Sequence, residues 1–298
     1  MTSFTQRLKW RLEAAAYDLI SVLTAMVPFG TLSAFGAGLL KIIGPLTRKH
    51  HIARTNIKIA FPDLSDAETD KILRDQWDGC GRTFAEFPAL HRLKAFAPKS
   101  RITVEGLDKL KANNPAIIVT GHFANWEVMA LVMTQAGLPV QITYRKINNP
   151  YIDSRVRKKR QAYGTKLLVQ KSGVKGAREL IEAIDRGESV ALLNDQKFNE
   201  GISLPFFGEP AMTATGAVRL ALKTKRPLIP LSLTRNGSRF HMIVHDPIKL
   251  NNTGERSADT KAGVIKVNQF IEQTVRANPK DWFWVHRRWP KPLYKTDN

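Results

Sequence analysis

Cysteine is nearly absent from this chain of 298 residues, which contains only Cys80. The chain therefore cannot form an internal disulfide, and it has no C-x-x-C pair of the kind that holds structural zinc. One cysteine fits a reducing compartment. Because no histidine lies close to it in sequence, we expect a buried, unreactive thiol rather than a catalytic nucleophile.

Acidic residues are also scarce, since 26 Asp and Glu stand against 46 Lys and Arg, for a net charge of +20. A charge of this size predicts partners rather than fold: nucleic acid, an anionic membrane surface, or phosphorylated and acidic substrates. A solvated basic surface that only keeps the protein soluble is the alternative. The basic residues are spread along the chain, densest in "RVRKKR" (155–160), with no basic tail, which disfavours nucleic acid.

Charge of either sign is missing from residues 19–40. As one helix this run would reach about 33 Å, enough to cross a bilayer core. Pro28 lies in its middle and suits a first helical turn better than a helix interior, so two helices over about 5–27 and 28–43 are the alternative. Basic residues on both sides of the run favour the cytoplasmic side of a membrane.

We therefore expect residues 1–45 to form an apolar, membrane-anchoring helical region and residues 46–298 to form an α/β domain. Two other interpretations remain open for the apolar run. A basic start before an apolar stretch is also typical of a cleaved signal peptide, and the same run can form a buried helical hairpin in a soluble core.

Strand and helix patterns alternate along the rest of the chain. Strands are predicted at 101–105, 116–120, 140–144, 165–169, 189–194, 227–234 and 239–245, and helices at 49–60, 66–79, up to about 136, 150–163, 173–186, 213–224 and 257–277. Residues 200–210, rich in Pro, Gly and Phe, are predicted to be a loop. This alternation indicates a mainly parallel mixed sheet flanked by helices. Ligands of such folds bind at the carboxyl ends of strands, which places His122, Arg145 and Asp195 near one rim.

Two His-x4-acid pairs occur in the sequence. His122 and Glu127 span a predicted strand-to-helix turn, where Glu127 can fold back and orient the imidazole. His241 and Asp246 lie largely in a predicted strand, where residues five apart point to opposite faces, so we interpret that pair as coincidence. The chain has no G-x-S-x-G elbow. The first pair therefore either activates a hydroxyl of the substrate or forms a purely structural hydrogen bond.

Four sequence blocks resemble those of the bacterial late acyltransferases of lipid A assembly, the lauroyl/myristoyl family within the wider glycerolipid acyltransferase superfamily. They are "TGHFANWE" (120–127), "YRKINNPYID" (144–153), "NDQKFNEGISLPFFGEPAMTATG" (194–216) and "NPKDWFWVHRRW" (278–289). Their order and spacing match from about residue 45 to 290. The glycerol-phosphate enzymes of the superfamily usually carry Asp where Glu127 stands, and an "EGTR"-like phosphate motif that this chain lacks. The resemblance implies a glycerol-3-phosphate acyltransferase-like fold.

The resemblance also assigns roles to single residues. His122 and Glu127 match the catalytic dyad. Residues that match positions for substrate, oxyanion or acyl-chain contact are Arg145, Asp195, Asn125 and Gln196, with Phe206 and Phe207 at the acyl end. Arg145 either donates to the oxyanion or clamps a phosphate of the acceptor, and Asp195 either orients Arg145 or caps a turn.

The terminal block is rich in tryptophan and arginine. Trp282, Trp284 and Trp289, together with Arg287 and Arg288, suit a surface at the level of lipid headgroups. Packing of at least one of these tryptophans onto the core is the alternative.

The resemblance implies transfer of a fatty acyl group from an acyl carrier protein thioester to a hydroxyl of a phosphorylated lipid A precursor. It places the protein at the cytoplasmic face of a bacterial inner membrane, with anionic lipids as further partners and without a cofactor, a metal or nucleic acid. Two alternatives remain. One is an acyltransferase for another membrane lipid (a glycolipid, aminolipid or lysophospholipid), and the other is a non-enzymatic basic binder of membranes or nucleic acid, for which His122 would be dispensable.

Overall fold

A computed structural model describes residues 3–144, 146–162, 166–170 and 173–294. The helices are α1 Phe4–Ala25, α2 Phe29–Ile43, α3 Arg48–Ala60, α4 Asp66–Glu86, α5 Leu107–Ala112, α6 Glu127–Gln135, α7 Pro150–Ala162, α8 Gly173–Asp185, α9 Gly216–Thr224 and α10 Arg256–Ala277. The strands are β1 Ile102–Glu105, β2 Ile117–Thr120, β3 Val140–Tyr144, β4 Lys166–Gln170, β5 Ser189–Leu193, β6 Ile202–Phe206, β7 Glu209–Thr213, β8 Leu228–Asn236 and β9 Arg239–Val244.

Seven strands form one sheet in the order β1-β9-β8-β2-β5-β3-β4. Neighbouring strands in it run parallel, except for the antiparallel pair of β8 and β9. Strand β2 lies in the middle and is buried along its whole length, as expected for an apolar strand covered on both faces. The predicted α/β class with a mainly parallel mixed sheet is confirmed.

Two predictions for glycine-containing connections gave different results. The predicted pairing of β8 with β9 is confirmed, and Gly237 takes a positive φ of 58° in the turn. The prediction of a loop over 200–210 is wrong, because β6 and β7 pair there as a two-stranded antiparallel ribbon. Pro205 and Pro210 lie opposite each other in that ribbon, a position where strands without a further neighbour tolerate a missing N–H.

The apolar N-terminal run forms two helices rather than one span, and α2 begins directly after Pro28. Helix α2 packs tightly on α4 at a pair of glycines. A Cβ atom on Gly36 would lie 2.3 Å from the carbonyl oxygen of Gly81, so only glycine permits this approach. Helix α2 is therefore an integral part of the packed body.

Helix α1 has a different relation to that body, because Ala14 is its one buried residue among those described. It is held to α7 mainly by polar contacts. The guanidinium of Arg155 bonds Asp18 at 2.6 Å and 2.5 Å, and the side-chain amide of Asn149 donates to Glu13 at 2.8 Å. The apolar side chains of α1 consequently face outward.

Many large apolar side chains on the first two helices are exposed. They are Phe4, Leu8, Leu12, Leu19, Ile20, Val22, Leu23 and Met26 around α1, and Phe35, Leu39, Ile42, Ile43 and Leu46 on and after α2. Within the described part of the chain, residues 29–46 are the one helical stretch long and apolar enough to cross a bilayer, and a third of that stretch is buried.

Candidate active site

The site forms where β2 and β5 end side by side. These strands are parallel neighbours, and Thr120 pairs with Leu193 at their carboxyl ends. His122 and Asp195 each follow two residues later, so both side chains emerge at the same edge of the sheet. The chain after β2 turns sharply, with Ala124 at a positive φ of 46° before α6 begins.

The carboxylate of Asp195 is hydrogen-bonded to the imidazole and to the backbone of His122. Its Oδ1 lies 2.7 Å from Nδ1 of His122, and its Oδ2 accepts from the backbone N–H of His122 at 2.8 Å. Nε1 of Trp282 donates to the same Oδ2 at 2.8 Å. Asp195 is fully buried. Burial alone would raise the pKa of this carboxyl, but the charge and hydrogen bonds of His122 outweigh it and hold the pKa of Asp195 well below its ordinary value.

The ionised carboxylate fixes the tautomer of the ring. A carboxylate can only accept, so Nδ1 of His122 donates to it, and in the neutral imidazole Nε2 is then the acceptor. Nε2 lies 3.3 Å from the side-chain amide nitrogen of the exposed Gln196. Trp126 packs edge-on against the imidazole with ring centroids 4.9 Å apart, and Phe283 lies at 6.1 Å. The basic nitrogen therefore faces the open side of the site.

The prediction that Glu127 orients His122 is corrected by this geometry. Glu127 is the first residue of α6, and its carboxylate pairs with Arg160 of α7 at 3.0 Å and 2.5 Å. Asp195 already occupies Nδ1 of His122, so the ring presents no second orienting position. The partner of the His122 ring is therefore Asp195 rather than the glutamate at the His-x4-Glu spacing.

Asn125 does not reach the open side of the site either. It is fully buried, and its amide donates to Glu86 at 2.9 Å. Glu86 also accepts from the hydroxyl of Ser33 of α2 at 2.7 Å, and Nη2 of Arg235 donates to both oxygens of its carboxylate at 2.7 Å and 2.6 Å. The predicted contact of Asn125 with substrate or oxyanion is therefore corrected. Arg145, predicted for the same role, lies outside the described residues.

The C-terminal tryptophans are core residues rather than a headgroup-level surface. Trp282, Trp284 and Trp289 are buried, as is Arg288. The alternative of packing onto the core is confirmed for all three tryptophans. Their indole N–H groups donate to buried acceptors. For example, Nε1 of Trp289 donates to the carbonyl of Phe206 at 3.1 Å.

Phe206 and Phe207 belong to the same aromatic cluster. The ring of Phe206 lies 5.8 Å from Trp282 and 5.7 Å from Trp289, and both phenylalanines are buried. Phe207 has a positive φ of 53° at the turn between β6 and β7. The cluster adjoins Asp195 through Trp282, which brings the third and fourth sequence blocks together beneath the site.

The second His-x4-acid pair separates as predicted. His241 on β9 lies 3.4 Å from Glu105, whereas Asp246 bonds Lys109 at 2.8 Å. The interpretation of this spacing as coincidence is confirmed.

Two features near His122 were not predicted from the sequence. Arg160 pairs with Glu127 and lies inside the basic run 155–160, which the sequence predicted only as part of a helix. His286 lies 6.1 Å from His122 by ring centroids, and neither of its ring nitrogens has a hydrogen-bond partner among the described residues. Burial lowers the pKa of His286 to about 4, so this second imidazole is neutral at physiological pH.

Within the described residues, no group of three or more His, Cys, Asp or Glu is placed to hold a metal ion.

Comparison with known proteins decides the family. Residues 4–291 match the family described as "Bacterial lipid A biosynthesis acyltransferase". The chain belongs to this family. It is an acyltransferase that acts on lipid A or related lipids.

Three curated relatives illustrate the range of this family. The chain is 27% identical over 282 residues to the "Lipid A biosynthesis palmitoleoyltransferase" of Escherichia coli K12, a match that covers 89% of this chain and 87% of the relative. It is 25% identical over 287 residues to the "Lipid A biosynthesis lauroyltransferase" of the same strain, covering 89% and 87%. It is 22% identical over 284 residues to a "Phosphatidylinositol mannoside acyltransferase" of Mycobacterium tuberculosis, covering 91% and 86%.

Among solved structures, the acyltransferase PlsC of Thermotoga maritima, which acts on 1-acyl-sn-glycerophosphate, matches 88% of this chain and 97% of its own at 14% identity. The TM-score of 0.37 is too low for a conclusion about this chain.

Proposed function

We propose that this acyltransferase moves a fatty acyl group from an acyl carrier protein thioester to a hydroxyl of a lipid A precursor, with His122 as the general base. The observation that carries the proposal is the His122–Asp195 pair, in which Nδ1 meets the buried carboxylate and Nε2 faces the open side of the site. The same edge of the sheet is where ligands bind in folds of this class.

The reaction balances without an enzyme nucleophile. Nε2 of His122 takes the proton of the acceptor hydroxyl while its oxygen attacks the thioester carbonyl. Asp195 stabilises the imidazolium that forms, because it is buried and ionised. The tetrahedral intermediate then expels the carrier thiolate, which takes the proton from Nε2. The products are an ester and a free thiol, and His122 returns to its starting state.

The oxyanion of the intermediate needs fixed donors. Gln196 supports this role, since its amide nitrogen lies 3.3 Å from Nε2 of His122 and is exposed to the site. We propose Arg145 as a second donor or as a clamp for an acceptor phosphate, because it directly follows β3 in the sequence. A planar guanidinium fork suits either function better than a lysine would.

We propose that the acceptor and the enzyme meet at the cytoplasmic face of the bacterial inner membrane. The exposed apolar side chains of α1 and α2 supply the area that enters the bilayer. Phe84 of α4 is exposed and packs edge-on against Phe283 at 6.4 Å, and Phe283 lies beside His122. Apolar surface thus reaches the base itself. The net charge of +20 favours anionic lipids, a phosphorylated acceptor and an acidic carrier protein.

The acyl chain itself needs an apolar environment behind the carbonyl. We propose that Phe206 and Phe207 contact its far end, since their aromatic cluster adjoins the Asp195 side of the site through Trp282. No cofactor takes part in this scheme.

The test is transfer of a labelled acyl chain from acyl carrier protein to a purified lipid A precursor. We expect the wild type to form the ester and His122→Ala to form almost none. Mass spectrometry of lipid A from a strain lacking the gene should show the loss of one secondary acyl chain. An unchanged lipid A would contradict the proposed acceptor.

A mannosylated lipid is the second candidate acceptor, because one relative carries the name phosphatidylinositol mannoside acyltransferase. The same assay separates the two candidates when both acceptors are offered in turn.

A further inference from the structure

A row of three aromatic side chains, the aromatic ladder, ends at the imidazole of His122. Its members are Phe84, Phe283 and Trp126. The ring of Phe84 lies edge-on to that of Phe283, with the ring centroids 6.4 Å apart. Phe283 lies edge-on to Trp126 at 5.4 Å, and Trp126 lies edge-on to His122 at 4.9 Å. The ladder therefore joins α4, the segment after α10 and the turn before α6 at the candidate base.

Hydrogen bonds to the backbone fix two of these rings relative to the base. The N–H of Phe283 donates to the carbonyl of His122 at 3.1 Å. The hydroxyl of Thr83, the residue before Phe84, donates to the carbonyl of Ala124 at 3.1 Å. Both bonds end on the turn that carries the imidazole, so the rings of the ladder are held beside it.

The ladder is open to solvent although its members are large and apolar. Phe84 is 56% exposed, and Phe283 and Trp126 are half-buried. Exposed apolar surface of this kind is typical of a binding site for an apolar ligand. The cavity that Trp126, Phe283 and His122 line together has a volume of about 10 Å³, which is room for about one water. A larger ligand on the ladder therefore lies along its open side.

The outer end of the ladder lies close to the apolar surface of α2. Gly81 of α4 packs directly on Gly36 of α2, and Phe84 follows Gly81 by about one helical turn. Phe35, the neighbour of Gly36 on α2, is 68% exposed. The ladder thus begins beside the surface that we propose to enter the bilayer, and an alkyl chain can extend from one to the other.

We propose that the aromatic ladder binds an acyl chain of the acceptor lipid and holds it between the bilayer and His122. This inference rests on the proposed function, in which the acceptor hydroxyl meets Nε2 of His122. The part of the acceptor next to that hydroxyl then lies against the rings that surround the imidazole. In the same scheme the donor chain lies elsewhere, at Phe206 and Phe207. The ladder therefore recognises a long alkyl chain rather than a head group.

Phe84→Ser tests the ladder at its exposed end, where removal of the ring leaves the core intact. We expect the variant to keep the Tm of the wild type. Its KM for a long-chain acceptor should rise about 3- to 10-fold, because the chain no longer covers the exposed half of a phenylalanine. The KM for a short-chain acceptor with the same head group, and the KM for the donor, should not change. Initial rates in detergent micelles measure these constants without a contribution from binding to a bilayer.

Phe96→Ser is the matched control, because Phe96 is exposed to nearly the same extent, 52%, but is not part of the ladder. Its KM values for both acceptors should equal those of the wild type. An equal rise in both variants would show a general effect of lost apolar surface. A rise in donor KM that grows with the length of the donor chain would place that chain on the ladder. Either result would overturn the inference.

Fluorescence quenching detects the contact without turnover, because bromine on an acyl chain quenches a tryptophan that the chain touches. An acceptor with brominated chains should quench the wild type more than Trp126→Phe, which keeps a ring in the ladder but lacks this indole. Brominated phosphatidylglycerol alone should give no such difference. If it does, the ladder contacts bulk lipid and the inference is overturned.

The same measurement separates the ladder from the proposed function. Quenching of Trp126 by the brominated acceptor without acyl transfer to any acceptor would refute the proposed function and leave the ladder assigned. Acyl transfer without quenching of Trp126 would overturn the ladder and leave the proposed function in place.

Discussion

Nδ1 of His122 and Oδ1 of Asp195 lie 2.7 Å apart, although the two residues are 73 positions apart in the chain. Each follows a strand of one parallel pair at the same register. The orienting carboxylate therefore comes from the third sequence block rather than from the acid five positions after the histidine.

Loss of either member of the His122–Asp195 pair should nearly abolish acyl transfer. Removal of a general base costs about 10²–10⁴-fold in rate, and Asp195→Asn should come close to that loss because an amide cannot stabilise the imidazolium. The double variant should be little worse than either single one, since the two side chains act as one unit. Initial rates with labelled donor measure this.

His241→Ala is the internal control for this series, because His241 has the same spacing to an acid but pairs with Glu105 at the sheet. Its rate should be that of the wild type. Full activity of His122→Ala, or an equal loss in His241→Ala, would refute the assignment of the base.

Glu127 and Arg160 should affect stability more than chemistry. Their pair is largely buried, and removal of one partner from a buried pair costs about 3 kcal/mol because the remaining charge loses this ion pair. Glu127→Gln should therefore lower Tm and reduce the rate far less than Asp195→Asn does. Chemical denaturation and rate measurements on the same preparations give both quantities.

A charge exchange tests whether the pair itself matters. The double variant Glu127→Arg with Arg160→Glu should recover part of the stability that each single change loses. If Glu127→Gln loses as much activity as Asp195→Asn while Tm stays unchanged, Glu127 acts directly in the reaction.

The outward face of α1 should determine membrane binding. Burial of one large apolar side chain contributes about 1.5 kcal/mol or more, so Leu12, Ile20 and Leu23 changed together to Ser should weaken partition into vesicles by roughly 10³-fold or more. Vesicle sedimentation measures the effect. Leu293→Ser, at an exposed position far along the chain, is the control. Unchanged sedimentation of the triple variant in high salt would contradict a role for α1.

Substitution is preferable here to removal of residues 1–45. Helix α2 contributes Ser33 to the buried Glu86 network and packs on α4 at Gly36. Its deletion would open the core, and loss of membrane binding would then report unfolding.

Asp281 gives a pH dependence with a defined sign. Burial raises the pKa of Asp281 to about 6, against an ordinary value of 3.8. The folded state therefore holds this proton more tightly than the unfolded state, and the contribution to stability falls as pH rises from about 4 to about 6. Asp281→Asn removes the titrating carboxyl, and with it this loss of stability as pH rises. Its stability relative to the wild type should grow by up to about 3 kcal/mol across that window.

Urea denaturation of both proteins between pH 4 and 7 measures that difference. The low pKa of His286 acts in the opposite direction, because stability rises with pH from about 4 to about 6.5. It is common to both proteins and cancels in their difference. A difference that stays constant with pH would show that Asp281 is not the group responsible.

The parts of the fold that depend on local pattern were predictable from the sequence. Apolar strands such as β2, the β8–β9 turn at Gly237 and the break at Pro28 all follow from nearby residues. The shared rim was also predictable, because His122 and Asp195 each follow a predicted strand of a mainly parallel sheet.

Side-chain partners were not predictable, because they depend on contacts distant in sequence. Glu127 is near His122 along the chain, but Arg160 reaches it from α7 and Asp195 reaches the imidazole from β5. Tryptophan and arginine in the terminal block have the composition of a headgroup surface. Only the fold shows that Trp282 binds a buried carboxylate.

The equal offset of His122 and Asp195 from the paired ends of β2 and β5 determines where the chain tolerates changes in length. The segment between the strands forms α6, β3, α7, β4 and α8. An insertion in one of its connecting loops leaves both offsets untouched, so the pair survives. One residue added between Thr120 and His122, or between Leu193 and Asp195, moves one partner away from the other. This geometry requires homologues to keep the spacing after each strand constant. The loops between the two strands can vary in length.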